Sequence, residues 1–299
     1  MTDRHAHGSA AAGHRRRLTA VLGLSLVVLL VEVAGAIAAN SLALLADAGH
    51  MLTDVAGVGL ALLAIRFAGR APSSVRTFGY LRLEILAAVG NAVLLFGVAA
   101  FILFEAWRRL EAPPDVAPGL MLAVAVVGLA ANGVSLSVLR SAQRESLNVR
   151  GAYLEVLGDL IGSAAVIVAA VVIALTGWTA FDAVASVVIA LLILPRTFAL
   201  LRDATDILLE ATPKGIDMDH VRRHILEAPG VLDCHDLHAW TITSGMNVVS
   251  AHVTLADGAD PAVTLEALCA CLSDDFDIEH STFQLETADR RRLEESRHA

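Results

Sequence analysis

The sequence predicts a membrane all-α domain of six transmembrane helices followed by a small α+β domain. Hydrophobic residues make up 56% of the 299 residues, and the mean hydropathy is +0.65. This exceeds the roughly 45–50% apolar content of soluble domains. Charge also divides the chain: residues 1–202 carry 15 basic and 12 acidic residues, whereas residues 203–299 carry 7 basic and 19 acidic ones. An apolar body therefore precedes an acidic polar domain, and that acidity argues against nucleic acid as a partner.

Six apolar segments are each long enough for the roughly 20 residues that a helix needs to cross a lipid bilayer. The predicted spans are residues 18–39, 42–65, 83–106, 118–139, 151–175 and 179–201. The first is too long for the core of a signal peptide, and no small-residue cleavage site follows it, so we expect it to be retained. These segments delimit a transmembrane domain of residues 18–202, preceded by a tail of residues 1–17.

Arginine residues predict the orientation, because positively charged loops remain on the cytoplasmic side of a membrane. With six spans, Arg108 and Arg109 fall on one side, and all other arginines of residues 1–202 fall on the opposite side. We therefore expect a multi-pass protein of the plasma (inner) membrane. Both termini, and with them the acidic domain, are expected to be cytoplasmic.

Residues 206–286 show the alternating helix and strand signals of a small α+β domain. The predicted elements are a helix at 217–228, strands at 231–243 and 246–255, a helix at 260–274 and a strand at 280–286. Gly230 closes the first helix, and Gly245 lies in the turn between the first two strands. The charged residues 287–299 predict a disordered tail.

The three cysteines, Cys234, Cys269 and Cys271, all lie in this acidic domain. Their odd number and their spacing provide no disulfide framework. Cys269 and Cys271 are two residues apart on a predicted helix, so they point in different directions. We interpret all three as buried or free thiols in a reducing compartment.

Two pairs of ionisable residues lie inside predicted spans, where each such residue costs roughly 2.5–3.5 kcal/mol unless it has a partner or a wet cavity. His50 and Asp54 are four residues apart in the second span. Glu155 and Asp159 repeat this spacing in the fifth. Residues four apart share one face of a helix, so two adjacent helices place four nitrogen and oxygen ligands around one ion, a set that zinc accepts. Asp47 is predicted to stabilise these ligands without contacting the metal itself. The alternative is a structural network in which the same groups only hydrogen-bond one another between helices.

Around these residues the chain resembles the cation diffusion facilitator family of metal exporters. Residues 41–54, SLALLADAGHMLTD, resemble the second-span motif of that family, and residues 151–159, GAYLEVLGD, resemble its fifth span. Residues 78–84 resemble the start of its third span, and residues 235–240, HDLHAW, resemble its first cytoplasmic strand. The resemblance implies a homodimer with a ferredoxin-like cytoplasmic domain in each protomer. It also implies export of divalent metal ions driven by an inward flow of protons.

Glu155 departs from the family pattern, because many zinc-transporting members have histidine at this position. One imidazole and three carboxylates form a harder and more anionic ligand set. Zn²⁺ is the predicted ion, Co²⁺, Cd²⁺ and Ni²⁺ are also compatible, and iron and manganese stay open. No cysteine accompanies the four ligands, which argues against a transporter specialised for Cu(I).

The resemblance also implies a second, regulatory metal site in the C-terminal domain. By that resemblance its ligands are His238, His252, His280 and Glu286. His252 and Glu286 fall on the polar faces of their predicted strands. Metal bound there is expected to draw two cytoplasmic domains together. The alternative is that these residues are ordinary surface groups.

Two other functions stay open. A membrane-anchored metal sensor would use the C-terminal domain alone, but it has no need of four ionisable groups inside the membrane. An intramembrane metal-dependent hydrolase would need an open coordination position and a general base, and the sequence contains no H-E-x-x-H motif. Also open are metal binding by the N-terminal histidines His5, His7 and His14 and the identity of the partner that supplies the ion.

Overall fold

Six long helices precede a domain of two helices and three strands in the computed structural model of the chain. The structure describes residues 4–68, 70–140, 147–276, 278 and 280–292. The chain divides into two units, Met1–Leu62 with Gly90–Leu201 and Leu63–Val89 with Arg202–Ala299. The long helices are α1 (Arg4–Ala39), α2 (Leu42–Ala68), α3 (Leu83–Glu111), α4 (Pro118–Arg140), α5 (Leu147–Thr176) and α6 (Ala180–Leu208). The predicted membrane all-α domain is therefore confirmed.

Each long helix coincides with a predicted span, and several extend beyond it. α1 begins at Arg4 rather than at residue 18, and α6 ends at Leu208 rather than at residue 201. The apolar pattern marks only the lipid-facing part of a helix, while polar residues continue the same helix into water. Within the described residues, α1, α3, α4, α5 and α6 contain stretches long and apolar enough to cross a membrane. α2 carries three ionisable residues, Asp47, His50 and Asp54, in its first half. The side chains of His5, His7 and His14 lie outside the described part of the chain.

Small residues allow the membrane helices to approach one another closely. α4 packs against both α1 and α5. At the contact between α1 and α4, a Cβ atom on Gly35 would lie 2.6 Å from Cγ2 of Val124, closer than two carbon atoms can stand. Alanines such as Ala43, Ala125 and Ala169 line the same core. Close backbone approach through small residues is typical of helices packed within a bilayer.

A single left-handed residue turns the chain from α1 into α2. Asn40 has a φ of 53°, and Arg109 Nη1 donates a hydrogen bond to its carbonyl oxygen at 2.7 Å. Ser41 then caps α2, since its Oγ accepts a hydrogen bond from Leu44 N at 3.2 Å. Capping of this kind defines where a helix begins, and so it fixes the position of every later residue on α2.

A carboxylate from α6 completes the cap of α2. Asp182, which is only 1% exposed, accepts hydrogen bonds from Leu42 N at 2.6 Å and from Ala43 N at 3.2 Å. Ser41 Oγ also donates to Asp182 Oδ1 at 2.6 Å. A negative charge is favourable at a helix N-terminus. Asp182 therefore ties the start of α6 to the start of α2.

The C-terminal domain has the αββαβ order of a ferredoxin-like fold. Its elements are α7 (Met218–Glu227), β1 (Val231–Thr243), β2 (Met246–Leu255), α8 (Pro261–Phe276) and β3 (His280–Glu286). β1 pairs antiparallel with β2, and β2 pairs parallel with β3. Gly245 has a φ of 76° in the hairpin turn, a conformation that suits glycine. The predicted α+β domain is confirmed, and the bounds of each predicted element lie within two residues of those observed.

The two faces of this sheet differ in character. Ala251 and Val253 of β2 are buried with Leu268 of α8 in the core of the domain. Because side chains alternate along a strand, His252 points to the opposite, polar face. The sheet therefore offers a face for ligands that the core does not occupy.

The ordered chain continues past the end of the predicted domain at residue 286. Residues 288–292 are helical, and Arg291 Nε donates a hydrogen bond to Asp233 Oδ2 at 3.3 Å. This part of the predicted disordered tail thus contacts the sheet domain. Residues 293–299 lie outside the described part of the chain.

Candidate metal centres

His50 and Asp54 lie one turn apart on α2 and present polar atoms to each other. His50 Nε2 is 3.6 Å from Asp54 Oδ2. His50 is buried and Asp54 is partly buried. This contact is the one that residues four apart on a helix are expected to make.

α5 brings a second carboxylate to the same point. Asp159 Oδ1 is 3.8 Å from His50 Nε2, and the ligand atoms of His50, Asp54 and Asp159 all lie within 4.8 Å of one another. Nitrogen and oxygen ligands of tetrahedral zinc stand about 3.4 Å apart, given bond lengths of about 2.0–2.2 Å. Within the described residues, Asp54 Oδ2 and Asp159 Oδ1, the two oxygens that face His50 Nε2, are buried without a hydrogen-bond partner. Buried polar atoms of this kind are costly unless something binds them, so the three residues, here called the membrane trio, fit a divalent cation.

Glu155, the fourth predicted ligand, pairs with an arginine and is not part of the membrane trio. Its Oε1 accepts a hydrogen bond from Arg196 Nη2 of α6 at 2.9 Å. Both side chains are about half exposed, 42% for Glu155 and 54% for Arg196. Glu155 lies one turn before Asp159 on α5, so it is next to the membrane trio. The positive charge of Arg196 neutralises the negative charge of Glu155. Sequence reasoning missed Arg196, because this residue lies 41 positions away on another helix and no local spacing connects the two.

Asp47 holds α2 against α5 near the membrane trio. Its side chain is buried, and its Oδ2 accepts a hydrogen bond from Ser163 Oγ at 3.3 Å. A Cβ atom on Gly162 would lie 2.2 Å from Asp47 Oδ1. The position of the Asp47 side chain against α5 therefore depends on glycine at position 162.

The Gly162→Ala substitution is expected to destabilise the membrane domain by about 1–3 kcal/mol, because the added methyl group forces Asp47 or the helix itself to move. Thermal unfolding of the purified protein in detergent, followed by circular dichroism, measures this effect. Gly158→Ala is the matched control, since Gly158 lies one turn earlier on α5 and a Cβ atom added there would meet no heavy atom within 4 Å. Equal melting temperatures for the two variants would contradict the close contact at Asp47.

A second group of metal-ligating residues lies on the polar face of the C-terminal sheet. His252 Nδ1 is 3.2 Å from Glu286 Oε1, and His235 Nε2 is 3.6 Å from Glu286 Oε2. The rings of His235 and His252 are 5.1 Å apart between centroids. The ligand atoms of these three residues, here called the sheet trio, lie within 4.8 Å of one another, and Glu286 is buried.

A bulge in β1 explains why His235 joins this group. His235 pairs with His252, and His238 pairs with Ser250. An advance of three residues along β1 therefore corresponds to two residues along β2. Asp236, inside this bulge, has a φ of 49°. A bulge of one residue places His235 and His238 on the same face, although an odd spacing normally separates them. The ligand set predicted by resemblance did not include His235.

Two of the predicted regulatory ligands lie apart from the sheet trio. His238 Nε2 is 3.0 Å from Asp236 Oδ1, and Asp236 Oδ2 in turn is 3.9 Å from His252 Nε2, so His238 borders the group through Asp236. His280 begins β3 while Glu286 ends it. Six residues of strand separate them by about 20 Å. Of the four predicted ligands, the structure brings together His252 and Glu286.

Comparison with known proteins matches both parts of the chain. The family model for the cation efflux transmembrane domain matches residues 18–209, and the family model for the cytoplasmic domain of cation efflux proteins matches residues 213–288. The chain belongs to the cation diffusion facilitator family of metal exporters. It is therefore a multi-pass membrane protein whose ferredoxin-like domain is the family's C-terminal domain, and the family predicted from its motifs is confirmed.

Several relatives in this family match the chain along nearly all of its length. The metal cation efflux system protein CzcD of Cupriavidus metallidurans is 45% identical over 98% of this chain and 93% of its own. The zinc transporter ZitB of Escherichia coli is 41% identical over 96% of this chain and 93% of its own. A cadmium, cobalt and zinc/H(+)-K(+) antiporter of Bacillus velezensis is 38% identical over 95% of this chain and 92% of its own.

Proposed function

We propose that the protein exports Zn²⁺ from the cytoplasm in exchange for protons, with Co²⁺, Cd²⁺ and Ni²⁺ as further substrates. The observation that carries this proposal is the membrane trio of His50, Asp54 and Asp159, which lies among the transmembrane helices. An imidazole and two carboxylates suit divalent ions of intermediate softness. The names of the relatives include zinc, cadmium, cobalt and protons, which agrees with this choice of ions.

Glu155 supplies the fourth ligand in this proposal. It borders the membrane trio from the preceding turn of α5, and its hydrogen bond to Arg196 occupies it when no metal is bound. A half-exposed ion pair contributes only about 0–1 kcal/mol, so an arriving dication displaces Arg196 easily. The ion pair with Arg196 also keeps a third carboxylate near the site while neutralising its negative charge.

Proton coupling follows from competition for the same lone pairs. A metal ion binds the deprotonated carboxylate and the neutral imidazole, so binding of metal and of protons exclude each other. In the inward-facing state the site takes up metal and releases protons. In the outward-facing state protons displace the metal, and their return inward drives the cycle.

The arrangement in the membrane follows from the arginine distribution. The excess of arginine on one side supports a cytoplasmic location for the termini and the C-terminal domain, and the proposed membrane is the plasma (inner) membrane. The proposed assembly is a homodimer, in which the C-terminal domains of two protomers meet. The sheet trio of His235, His252 and Glu286 is proposed to bind regulatory metal there, with His238 beside it and His280 outside it.

Reconstituted protein tests the transport proposal directly. Liposomes that contain the protein, a pH-sensitive dye and a metal-sensitive dye are exposed in turn to Zn²⁺, Co²⁺, Cd²⁺, Ni²⁺ and Mn²⁺. We expect metal entry together with alkalinisation of the lumen, and collapse of the pH change when a protonophore is added. Failure of every ion to enter would refute transport, whereas metal entry without a pH change would refute proton coupling alone.

The Glu155→His substitution is expected to raise the preference for Zn²⁺ over Mn²⁺ by about tenfold, which corresponds to about 1.4 kcal/mol. An imidazole in place of a carboxylate makes the ligand set softer, and it frees Arg196 from its partner. The ratio of initial transport rates for the two ions measures the change. Glu155→Gln is the control, because it also frees Arg196 but adds no imidazole, and an equal ratio in both variants would contradict the proposed ligand role.

A further inference from the structure

A third group of metal-ligating side chains lies on the helices of the C-terminal domain, separate from the membrane trio and the sheet trio. It consists of His224 from α7 and of Cys271 and Asp275 from α8, and their ligand atoms lie within 4.8 Å of one another. His224 Nδ1 is 3.3 Å from Asp275 Oδ2 and 3.6 Å from Cys271 Sγ. Cys271 Sγ is 3.9 Å from Asp275 Oδ2. Each atom thus approaches both of the others.

These three distances match the edges of a tetrahedral site. Bond lengths of about 2.3 Å to sulfur and about 2.0–2.2 Å to nitrogen and oxygen give edges of about 3.6 Å from sulfur and about 3.4 Å between nitrogen and oxygen. A thiol has one proton and donates it to one acceptor at a time. Its sulfur accepts only weakly, whereas the three mutual contacts also converge on a common point that an ion can occupy.

Local sequence spacing and packing produce this triangle. Cys271 and Asp275 are four residues apart on α8, so they share one face of that helix. α7 packs against α8 and supplies His224 from the other side. Cys269 points elsewhere, with its Sγ 3.6 Å from Ser281 Oγ, which confirms that the two neighbouring cysteines of α8 face in different directions.

The surroundings of Cys271 favour a dication. Burial raises the pKa of the Cys271 thiol, and the negative charges of Asp275, Glu227 and Asp274 raise this pKa further. The same carboxylates create a negative potential that attracts a divalent ion, and binding of that ion displaces the thiol proton.

Aromatic and imidazole groups complete the surroundings. The Phe276 ring lies edge-on to His224, with centroids 5.2 Å apart, and shields one side of the group. His220 lies one turn before His224 on α7, and the centroids of these two rings are 4.9 Å apart. His220 is thus a candidate for the fourth ligand.

We propose that His224, Cys271 and Asp275 form a metal site that binds a thiophilic divalent cation, Cd²⁺ or Zn²⁺, and clamps α7 to α8. Sulfur ligands select soft ions over Mn²⁺ and other hard ions. The membrane trio and the sheet trio contain no sulfur, so this site would give the domain a preference for soft ions that those two groups lack. The proposal concerns binding alone and does not depend on transport.

Titration of the full-length protein in detergent with Cd²⁺ tests the proposal, because a cadmium–thiolate bond produces an ultraviolet charge-transfer band. The chain has three cysteines, and Cys234 is buried in the core of the domain. We expect a saturable band whose final amplitude corresponds to one cadmium–thiolate bond per chain and which vanishes in Cys271→Ser. Cys269→Ser is the matched control, since it removes a thiol from the same helix, and it should keep the band.

The other two ligands are tested by the strength of binding. His224→Gln and Asp275→Asn should each weaken the binding measured through this band by about tenfold or more. Three results would overturn the proposal: no saturable band in the unmodified protein, a band that persists in Cys271→Ser, or unchanged binding in both His224→Gln and Asp275→Asn. The last result would mean that a lone thiol captures the ion.

Discussion

The Asp159→Asn substitution is expected to reduce metal-evoked proton flux by about a hundredfold or more, since loss of a group outside the ligand shell already costs about 10–100-fold in metal affinity. Asp159 is the residue through which α5 reaches the membrane trio, with Oδ1 3.8 Å from His50 Nε2. Asparagine has nearly the same shape but carries no charge. It therefore weakens metal binding and also removes a carboxylate that exchanges protons.

Three comparisons separate loss of transport from loss of structure. Asp54→Asn should behave like Asp159→Asn, because Asp54 belongs to the same membrane trio. His252→Ala should keep basal flux, because His252 lies in the C-terminal sheet, and thermal unfolding should show all three variants folded. Flux within about twofold of the unmodified protein in a folded Asp159→Asn variant would rule out the membrane trio as the transport site, given that about 1.4 kcal/mol corresponds to a factor of ten.

The parts of the fold that depend on local pattern could be predicted from the sequence. Apolar segments of sufficient length identified the helices, and turn residues such as Gly245 identified the hairpin between β1 and β2. The contact between His50 and Asp54 was predictable for the same reason, because a spacing of four residues on one helix fixes it. The ends of α1 and α6 were not, since hydropathy reports contact with lipid and not the helix itself.

Features that depend on contacts between distant segments could not be predicted in this way. Arg196 meets Glu155 only because α6 packs beside α5, and no periodicity records that packing. His235 joins the sheet trio only because the bulge at Asp236 offsets the pairing of β1 with β2 by one residue, which places His235 opposite His252. His280 was selected by resemblance, but the parallel pairing of β3 with β2 leaves it at the other end of the strand from Glu286.

Asp182 belongs to this second class and positions the membrane trio from a distance. It caps α2 from a position 140 residues away from Leu42, so the sequence around Ser41 shows only half of the cap. Leu42 and His50 are eight residues apart, which is about 12 Å along one continuous helix. A shift in the start of α2 therefore moves His50 and Asp54 relative to Asp159.

The Asp182→Ala substitution is expected to destabilise the membrane domain by about 3 kcal/mol, because it leaves buried donors of Ser41, Leu42 and Ala43 without their acceptor. The melting temperature in detergent should fall by about 5–10 °C. Metal affinity should fall as well, since α2 carries two members of the membrane trio.

Ser186→Ala is the matched control for this loss. Ser186 lies one turn later on α6 and is also buried, but its Oγ donates only to the carbonyl oxygen of Ala183 within its own helix, at 2.8 Å. Its removal should therefore change the melting temperature and the metal affinity little. Asp182→Asn should fall between the two, because an amide oxygen still accepts hydrogen bonds but adds no charge to the helix N-terminus. If Asp182→Ala lost no more stability than Ser186→Ala, the start of α2 would be held by the Ser41 cap alone. The position of the membrane trio would then not depend on α6.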